Sequence, residues 1–293
     1  MVRIDELLAT GRCISVELWP PRTAGAAERL ARSIERLEAL APAFASITYG
    51  AGGSTRERTH DLVVALHRGG RITPMAHLVC AAHRRVELVE ILTRYRDEGI
   101  ENLLALRGDP PLDATAPLME GDLHHAIELV ELAKSLGDFC VAVAAHPQGH
   151  PAAPSLKVDL DHLAEKLRVA DFAITQFFFA VEDYRRLVEA LADRGVCKPV
   201  IPGVMPITNV RTLTKMAELS GTRVPIDLAR QVAAVEHDPA AVRAIGVEVA
   251  TELCAQLLEE GVPGLHFYTM NQVSATIEVC ANLGLVPATR PAP

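Results

Sequence analysis

The stretch CISVELWPPRT, Cys13 to Thr23, decides how the chain is read. It is a β-branched apolar run that carries one carboxylate, Glu17, and stops at Pro20 and Pro21. Proline cannot donate to a sheet ladder, so the run reads as a short strand ending there. Alternation along a strand puts Cys13, Ser15 and Glu17 on one face and Ile14, Val16 and Leu18 on the other. The branched aliphatic face suits a layer of helices, which turns Glu17 inward at the strand's end.

The same unit recurs along the chain. ISVEL (14–18), ASITYG (45–50), TPMAHLVC (73–80), NLLALRG (102–108), CVAVAAH (140–146), FAITQFFF (172–179), PVIPGVMP (199–206) and GLHFYT (264–269) all read as strands. Helical patterns lie between them. Leu30, Ile34, Leu37 and Leu40 line one helix face, as do Tyr184, Leu187, Val188 and Leu191, with Gly195 as a C-terminal stop. The longest interval, between the last two strands, predicts two or more helices, around 208–219 and 227–260. Strict β/α alternation implies parallel strands joined by crossover helices. Eight such units in 293 residues predict an α/β fold, a (β/α)8 TIM barrel, with a doubly wound open sheet as the alternative. No composition shift marks a boundary, so residues 1–293 read as one catalytic domain, with a flexible Pro-rich tail at 286–293.

Composition narrows the function. Hydrophobic residues make up 49% and charged residues 23%, as in a soluble globular protein. A net charge of −8 argues against nucleic acid as a partner. No apolar run approaches the roughly 18 residues of a membrane span. MVRIDELLATGR lacks the apolar core of a secretory signal. The six cysteines show no C-x-x-C spacing and mostly sit in apolar segments, which predicts free buried thiols, no metal site and a reducing compartment. A cytoplasmic enzyme of small molecules fits these facts.

A barrel gathers its chemistry at the C-terminal ends of its strands. Here those ends supply Glu17, Thr48 with Tyr49, His77, Arg107 with Asp109, His146, Gln176 and Tyr268, and only the seventh strand ends blandly, on Pro206. A carboxylate in a partly dry mouth has a raised pKa, because desolvation penalises its charged form. Glu17 therefore reads as a general acid, against the plainer reading of an exposed strand end. ALRGDPP (105–111) repeats the design, with Gly108 allowing close backbone approach; a salt-bridged turn is the plainer reading. YGAGGST (49–55) sits where phosphate-binding loops occur, but Thr55 breaks the dinucleotide fingerprint. AHPQGHP (145–151) sets His146 and His150 four apart on a loop, where a metal pair or ligand contacts are both open.

These segments, in order, resemble the bacterial type of methylenetetrahydrofolate reductase over residues 10 to 285: VELWPPRT, SITYGAGGSTRERT, PMAHLVC, ALRGDPP, AAHPQGHP, ITQFFF, IPGVMPI and HFYTMN. The resemblance implies a barrel with FAD at its mouth. NADH or NADPH reduces the flavin in a ping-pong cycle, and 5,10-methylenetetrahydrofolate then takes the hydride to become 5-methyltetrahydrofolate, the methyl source for methionine synthesis. Glu17 matches the acid that protonates N10 of the folate, and Asp109 the carboxylate that holds the pterin and tunes the flavin. Gln176 matches the residue shared between folate and nicotinamide binding, and Tyr268 and Gln272 stand at substrate-side positions. Thr48, Tyr49, Ala51, His77, Arg107, Gly108, Asp109, His146, His150, Ala153, Asp159 and Lys166 match FAD-side positions. The chain departs from the family pattern at His146 (tyrosine in enteric-type sequences), at His162 and Glu165 (asparagine and arginine), at Gln272 (arginine) and at Met216 (an aromatic). A homo-oligomer is expected by resemblance. The same reaction without flavin, by direct hydride transfer, a folate- or flavin-binding paralogue and a metal-dependent barrel hydrolase are the competing readings.

Overall fold

The computed structural model describes residues 2–50, 56–81, 83–108 and 121–285. In chain order the elements are α1 (Ile4–Thr10), β1 (Cys13–Leu18), α2 (Ala24–Leu37), β2 (Phe44–Ile47), α3 (Arg56–Gly69), β3 (Thr73–Val79), α4 (Arg85–Asp97), β4 (Asn102–Leu106) and α5 (Ala126–Leu136). They continue as β5 (Cys140–Ala145), α6 (Leu156–Val169), β6 (Phe172–Phe177), α7 (Val181–Ala192), β7 (Val200–Val204), α8 (Val210–Ser220), α9 (Ile226–Ala234), α10 (Pro239–Glu259), β8 (Gly264–Tyr268) and α11 (Ser274–Asn282). All eight strands pair in parallel and in sequence order, and β8 closes back on β1. The expected (β/α)8 barrel is therefore observed, and the open sheet is not.

The inward and outward faces follow the alternation. Val16, Leu18, Ala45, Ile47, Ala76 and Leu78 pack outward into the core shared with the helices. Phe44, Met75, Leu104, Cys140, Ala142, Phe172, Ile174 and Ile201 fill the barrel interior. This apolar filling occupies the lower part. The lower opening is closed by α1, whose Ile4 is fully buried in that cluster. Its backbone N–H donates to Asn102 Oδ1 at 2.9 Å, and Arg3 ties the turn to Asp5 and Asp138. The N-terminal segment is thus a plug for the barrel.

The structure corrects several details. Every strand but β1 ends one to three residues before its expected end, for example at Ile47 and Leu106, although single backbone bonds such as Thr48 N–H to Leu18 C=O and Cys80 N–H to Leu106 C=O run on past the paired register. The long β7–β8 interval holds three helices, since Asp238 caps a new N-terminus at Ala240 and Ala241 and Pro239 occupies its first turn. Val188 is 38% exposed and lies off the buried stripe of α7. Gly195 does stop that helix: its N–H bonds Ala192 C=O while Val196 N–H bonds Leu191 C=O, a Schellman closure. The cysteines are free thiols, but Cys197 is exposed. No described helix is long and apolar enough to cross a membrane. The tail at 286–293 lies outside the described residues.

Candidate active site

Glu17, the last but one residue of β1, faces the barrel axis between Ser46 of β2 and Tyr268 of β8 in register. Its side chain is 14% exposed, and burial pushes its carboxyl up to about 7. The Trp19 indole N–H donates to Oε1 at 3.0 Å and pulls in the opposite direction. His77 of β3 places Nε2 4.0 Å from Oε2, too far for a hydrogen bond. Burial drives the His77 pKa down to about 3, so this imidazole is neutral and does not take the Glu17 proton. Of the two groups, only Glu17 exchanges a proton near neutral pH.

A polar column supports it from below. His266 of β8 pairs through Nδ1 with Ser15 Oγ at 2.8 Å and through Nε2 with Ser46 Oγ at 3.3 Å. Burial and the neighbouring His77 also hold His266 down at about 3. These fully buried groups fix the imidazole between β1 and β2, and Phe44 stacks beneath it with ring centroids 5.9 Å apart. The interior thus changes from apolar at the plug, through neutral polar groups, to an ionisable acid at the mouth.

Tyr268 crosses its neighbouring strand. Its hydroxyl donates to Thr175 C=O on β6 at 2.6 Å, passing over Gly203 of β7. A Cβ at Gly203 would stand 2.2 Å from Thr175 O and 2.5 Å from the Tyr268 ring, so only glycine fits this crossing. Beyond Tyr268 a cavity of about 380 Å³ opens along the β7 and β8 ends, lined in part by Met205, Asn209, Arg211, Thr269 and Gln272. Gln176, half-buried at the end of β6, folds its Oε1 onto its neighbour's backbone, accepting from Phe177 N–H at 3.0 Å. Met216 packs with the apolar cluster behind this cavity.

The opposite side of the mouth carries the other expected positions. Thr48 continues the ladder by one bond to Leu18 C=O at 3.0 Å. The Tyr49 hydroxyl pairs with His83 Nε2 at 2.9 Å. Arg107 is exposed at the end of β4, followed by Gly108 at φ 96°. After β5, the rings of His146 and His150 meet edge to face at 4.7 Å. Burial, with His150 and Lys166 adding to it, brings His146 down to about 3. Asp159 Oδ2 accepts from the His150 N–H at 3.0 Å, and Ala153 N–H donates to His150 C=O. Lys166 reaches back from α6 to donate to Ala144 C=O at 3.1 Å, its ammonium lowered by burial and supported by Asp159. His162 and Glu165 are exposed on the same helix. Ala51 and Asp109 lie outside the described residues.

The described candidates therefore come from the ends of every strand but β7, from the loops after β5 and β8, and from α6. What the sequence reading missed is the frame around Glu17: Trp19, Asn271 and Thr269, joined to it and to one another by hydrogen bonds. The one available signal was a lone tryptophan two residues beyond the acid. Among the described residues, three potential metal ligands converge at Asp5, Cys140 and Asp171, at the plugged end. There Arg3 pairs with Asp5, and Lys134 with Asp171. His146 and His150 join no such group among the described residues.

Comparison with known proteins bears on this geometry. A model of the family described as methylenetetrahydrofolate reductase matches residues 3–284. The chain is 37% identical over 275 residues to the 5,10-methylenetetrahydrofolate reductase of Pectobacterium carotovorum, covering 94% of this chain and 91% of that one. It is 36% identical to the Salmonella typhimurium enzyme of the same name with the same coverage. An Arabidopsis thaliana relative named methylenetetrahydrofolate reductase (NADH) 1 is 34% identical, covering 94% of this chain and 49% of its own length. Among solved structures, an uncharacterized protein from Clostridium thermocellum, described as binding two copies of 5-methyl-5,6,7,8-tetrahydrofolic acid, aligns with a TM-score of 0.66 over 97% of both chains. At 16% identity that likeness is one of fold.

Proposed function

The chain belongs to the methylenetetrahydrofolate reductase family, and we propose that its barrel mouth reduces 5,10-methylenetetrahydrofolate to 5-methyltetrahydrofolate with NAD(P)H, through bound FAD. It is an oxidoreductase of folate one-carbon metabolism. The observation that carries the mechanism is Glu17, an inward carboxyl with a pKa near 7, whose Oε2 has no hydrogen-bond partner among the described residues.

The mouth fits a flavin. His77 Nε2 is buried without a hydrogen-bond partner among the described residues, a group that a bound cofactor would satisfy. Thr48, Tyr49, His77, Arg107, Gly108, His146, His150, Ala153, Asp159 and Lys166 would hold FAD, together with Ala51 and Asp109. Arg107 and Lys166 would supply cationic partners for its phosphates or ribose. When bound, FAD supplies a two-electron carrier between nicotinamide and folate.

The chain's own residues do the rest. Gln176, Tyr268, Gln272 and Asp109 orient the folate. Glu17 delivers its proton to N10, the bond from N10 to the bridging carbon breaks, and the five-membered ring opens to an N5 methylene iminium. That carbon accepts the hydride and becomes the methyl group. Neutral His77 and His266 leave the proton on Glu17 until the folate takes it.

NADH is the preferred donor in this reading, which the name of the Arabidopsis relative supports. The whole chain acts as one catalytic domain, in a reducing cytoplasm and as a homo-oligomer, on small molecules. The free thiols and the net charge of −8 support that setting. The test is the visible spectrum of the purified protein. A flavin band that bleaches with anaerobic NADH and returns with methylenetetrahydrofolate supports the reading. A colourless protein that turns over with intersecting reciprocal plots overturns the flavin and favours direct hydride transfer, the reading that the departures at His146, His162 and Glu165 support.

A further inference from the structure

The two oxygens of Glu17 are not equivalent. Oε1 accepts the Trp19 indole N–H at 3.0 Å. Oε2 stands 4.0 Å from His77 Nε2, outside hydrogen-bond reach. A protonated carboxyl has one carbonyl oxygen that accepts and one hydroxyl that donates. An N–H aimed at Oε1 therefore selects Oε1 as the carbonyl and places the proton on Oε2.

Trp19 is 38% exposed, yet its backbone is held on both sides by one carboxamide. Trp19 N–H donates to Asn271 Oδ1 at 2.9 Å, and Asn271 Nδ2 donates to Trp19 C=O at 2.9 Å. Asn271 adopts a left-handed backbone, φ 63°, which asparagine tolerates better than most residues. Its own N–H donates to Thr269 Oγ1 at 3.1 Å, and that hydroxyl donates to Glu17 C=O at 2.8 Å. Ser33 of α2 donates to Asn271 C=O at 3.0 Å. The bonds close a ring, Glu17–Trp19–Asn271–Thr269–Glu17, that ties the end of β1 to the loop after β8.

Resting on the assignment of Glu17 as the acid, we propose that Trp19, pinned by Asn271, is its positioning residue: the indole N–H fixes Oε1 as carbonyl and directs the acidic proton from Oε2 toward the ligand. The bond also favours the ionised carboxyl and so opposes part of the effect of burial. The other groups facing Glu17 are His77 from β3, Ser46 from β2, Tyr268 from β8 and, below them, His266. The two imidazoles are neutral above about pH 3, and the Tyr268 phenol is held well above its ordinary range. None of these changes charge near neutrality. Asp109 lies outside the described residues.

Trp19 is the sole tryptophan of the chain, so intrinsic emission reports this one bond. In the full-length protein as purified, tryptophan emission titrated from pH 5 to 9 is expected to show one transition near 7, absent in Glu17→Gln. This arm needs no turnover and stands even where the reductase reading fails. In Trp19→Phe, which keeps an aromatic ring without the donor, the alkaline limb of methylenetetrahydrofolate reduction is expected to move up by about one pH unit. A merely structural role would lower the rate and leave that limb in place. Should Trp19→Phe not fold, Asn271→Ser, which releases the Trp19 backbone, is expected to move the limb in the same direction. Flat wild-type emission, the same transition in Glu17→Gln, or an unmoved limb in the folded variant overturns the proposal. Wild-type protein that shows the emission transition but does not reduce the folate overturns the reductase reading instead.

Discussion

Replacing Glu17 by glutamine should make the protein more stable while removing its folate chemistry. The Glu17 carboxyl is raised from an ordinary 4.5 to about 7 in the folded chain, chiefly by burial. Between those two values the folded state keeps a proton that the unfolded state has released. A state that binds more protons loses ground as pH rises, so wild-type stability falls across pH 4.5 to 7. The full difference is about 3 kcal/mol, present above pH 7 and gone below the unfolded value. Glutamine does not titrate and can still accept the Trp19 N–H. The variant should therefore match wild type near pH 4 and exceed it at pH 8 by about 3 kcal/mol, which is about 5 °C in Tm for a chain of this size. Urea denaturation of both proteins at a series of pH values reads the gap directly. A stability difference that does not change with pH, or a variant that is weaker at pH 8, refutes a raised carboxyl at this site.

The remaining expectations concern separate parts of the barrel. The wild-type rate of folate reduction should follow the protonated fraction of Glu17, roughly 90% at pH 6 and half at pH 7, and a rate that is flat from pH 6 to 8 would contradict it. Lys166→Met should weaken FAD binding on the order of tenfold to a hundredfold by equilibrium dialysis, since it removes a largely buried cation beside Asp159. Gly203→Ala should destabilise the barrel and displace Tyr268, because its Cβ would meet Thr175 O at 2.2 Å; unchanged stability and unchanged folate KM would refute the strand-crossing account. Asn102→Ala removes the acceptor of the Ile4 N–H and should cost about 1–3 kcal/mol in urea while leaving kcat/KM intact, because the plug is at the far end from the mouth.

The barrel was legible in the sequence because parallel strands buried on both faces read as short apolar runs, and all eight did. Their ends were less so. Thr48, Tyr49, Arg107 and His146 look like strand in sequence, yet they stand one or two residues past the last paired position. The plug α1 went unread because seven residues give too few turns for a periodic pattern. The break between α9 and α10 had a local signal, Asp238 before Pro239, hidden inside a long run of good helix formers. At the site, alternation on one strand was enough to turn Glu17 inward and so to anticipate its raised pKa. The frame around it was not legible, because Trp19 and Asn271 are 252 positions apart and meet only when β8 closes on β1. The neutral state of His77 and His266 likewise follows from packing in three dimensions, not from either residue's neighbours in the chain.

The central claim is that Glu17 supplies the proton for the folate and plays no part in accepting electrons from the nicotinamide. Anaerobic stopped-flow on wild type and Glu17→Gln, following the flavin band through reduction by NADH and reoxidation by methylenetetrahydrofolate, separates the two steps. Reduction at similar rates in both proteins is expected, with reoxidation by the folate lost from the variant by a factor of about 10²–10⁴. Reoxidation of the variant at the wild-type rate would contradict the account.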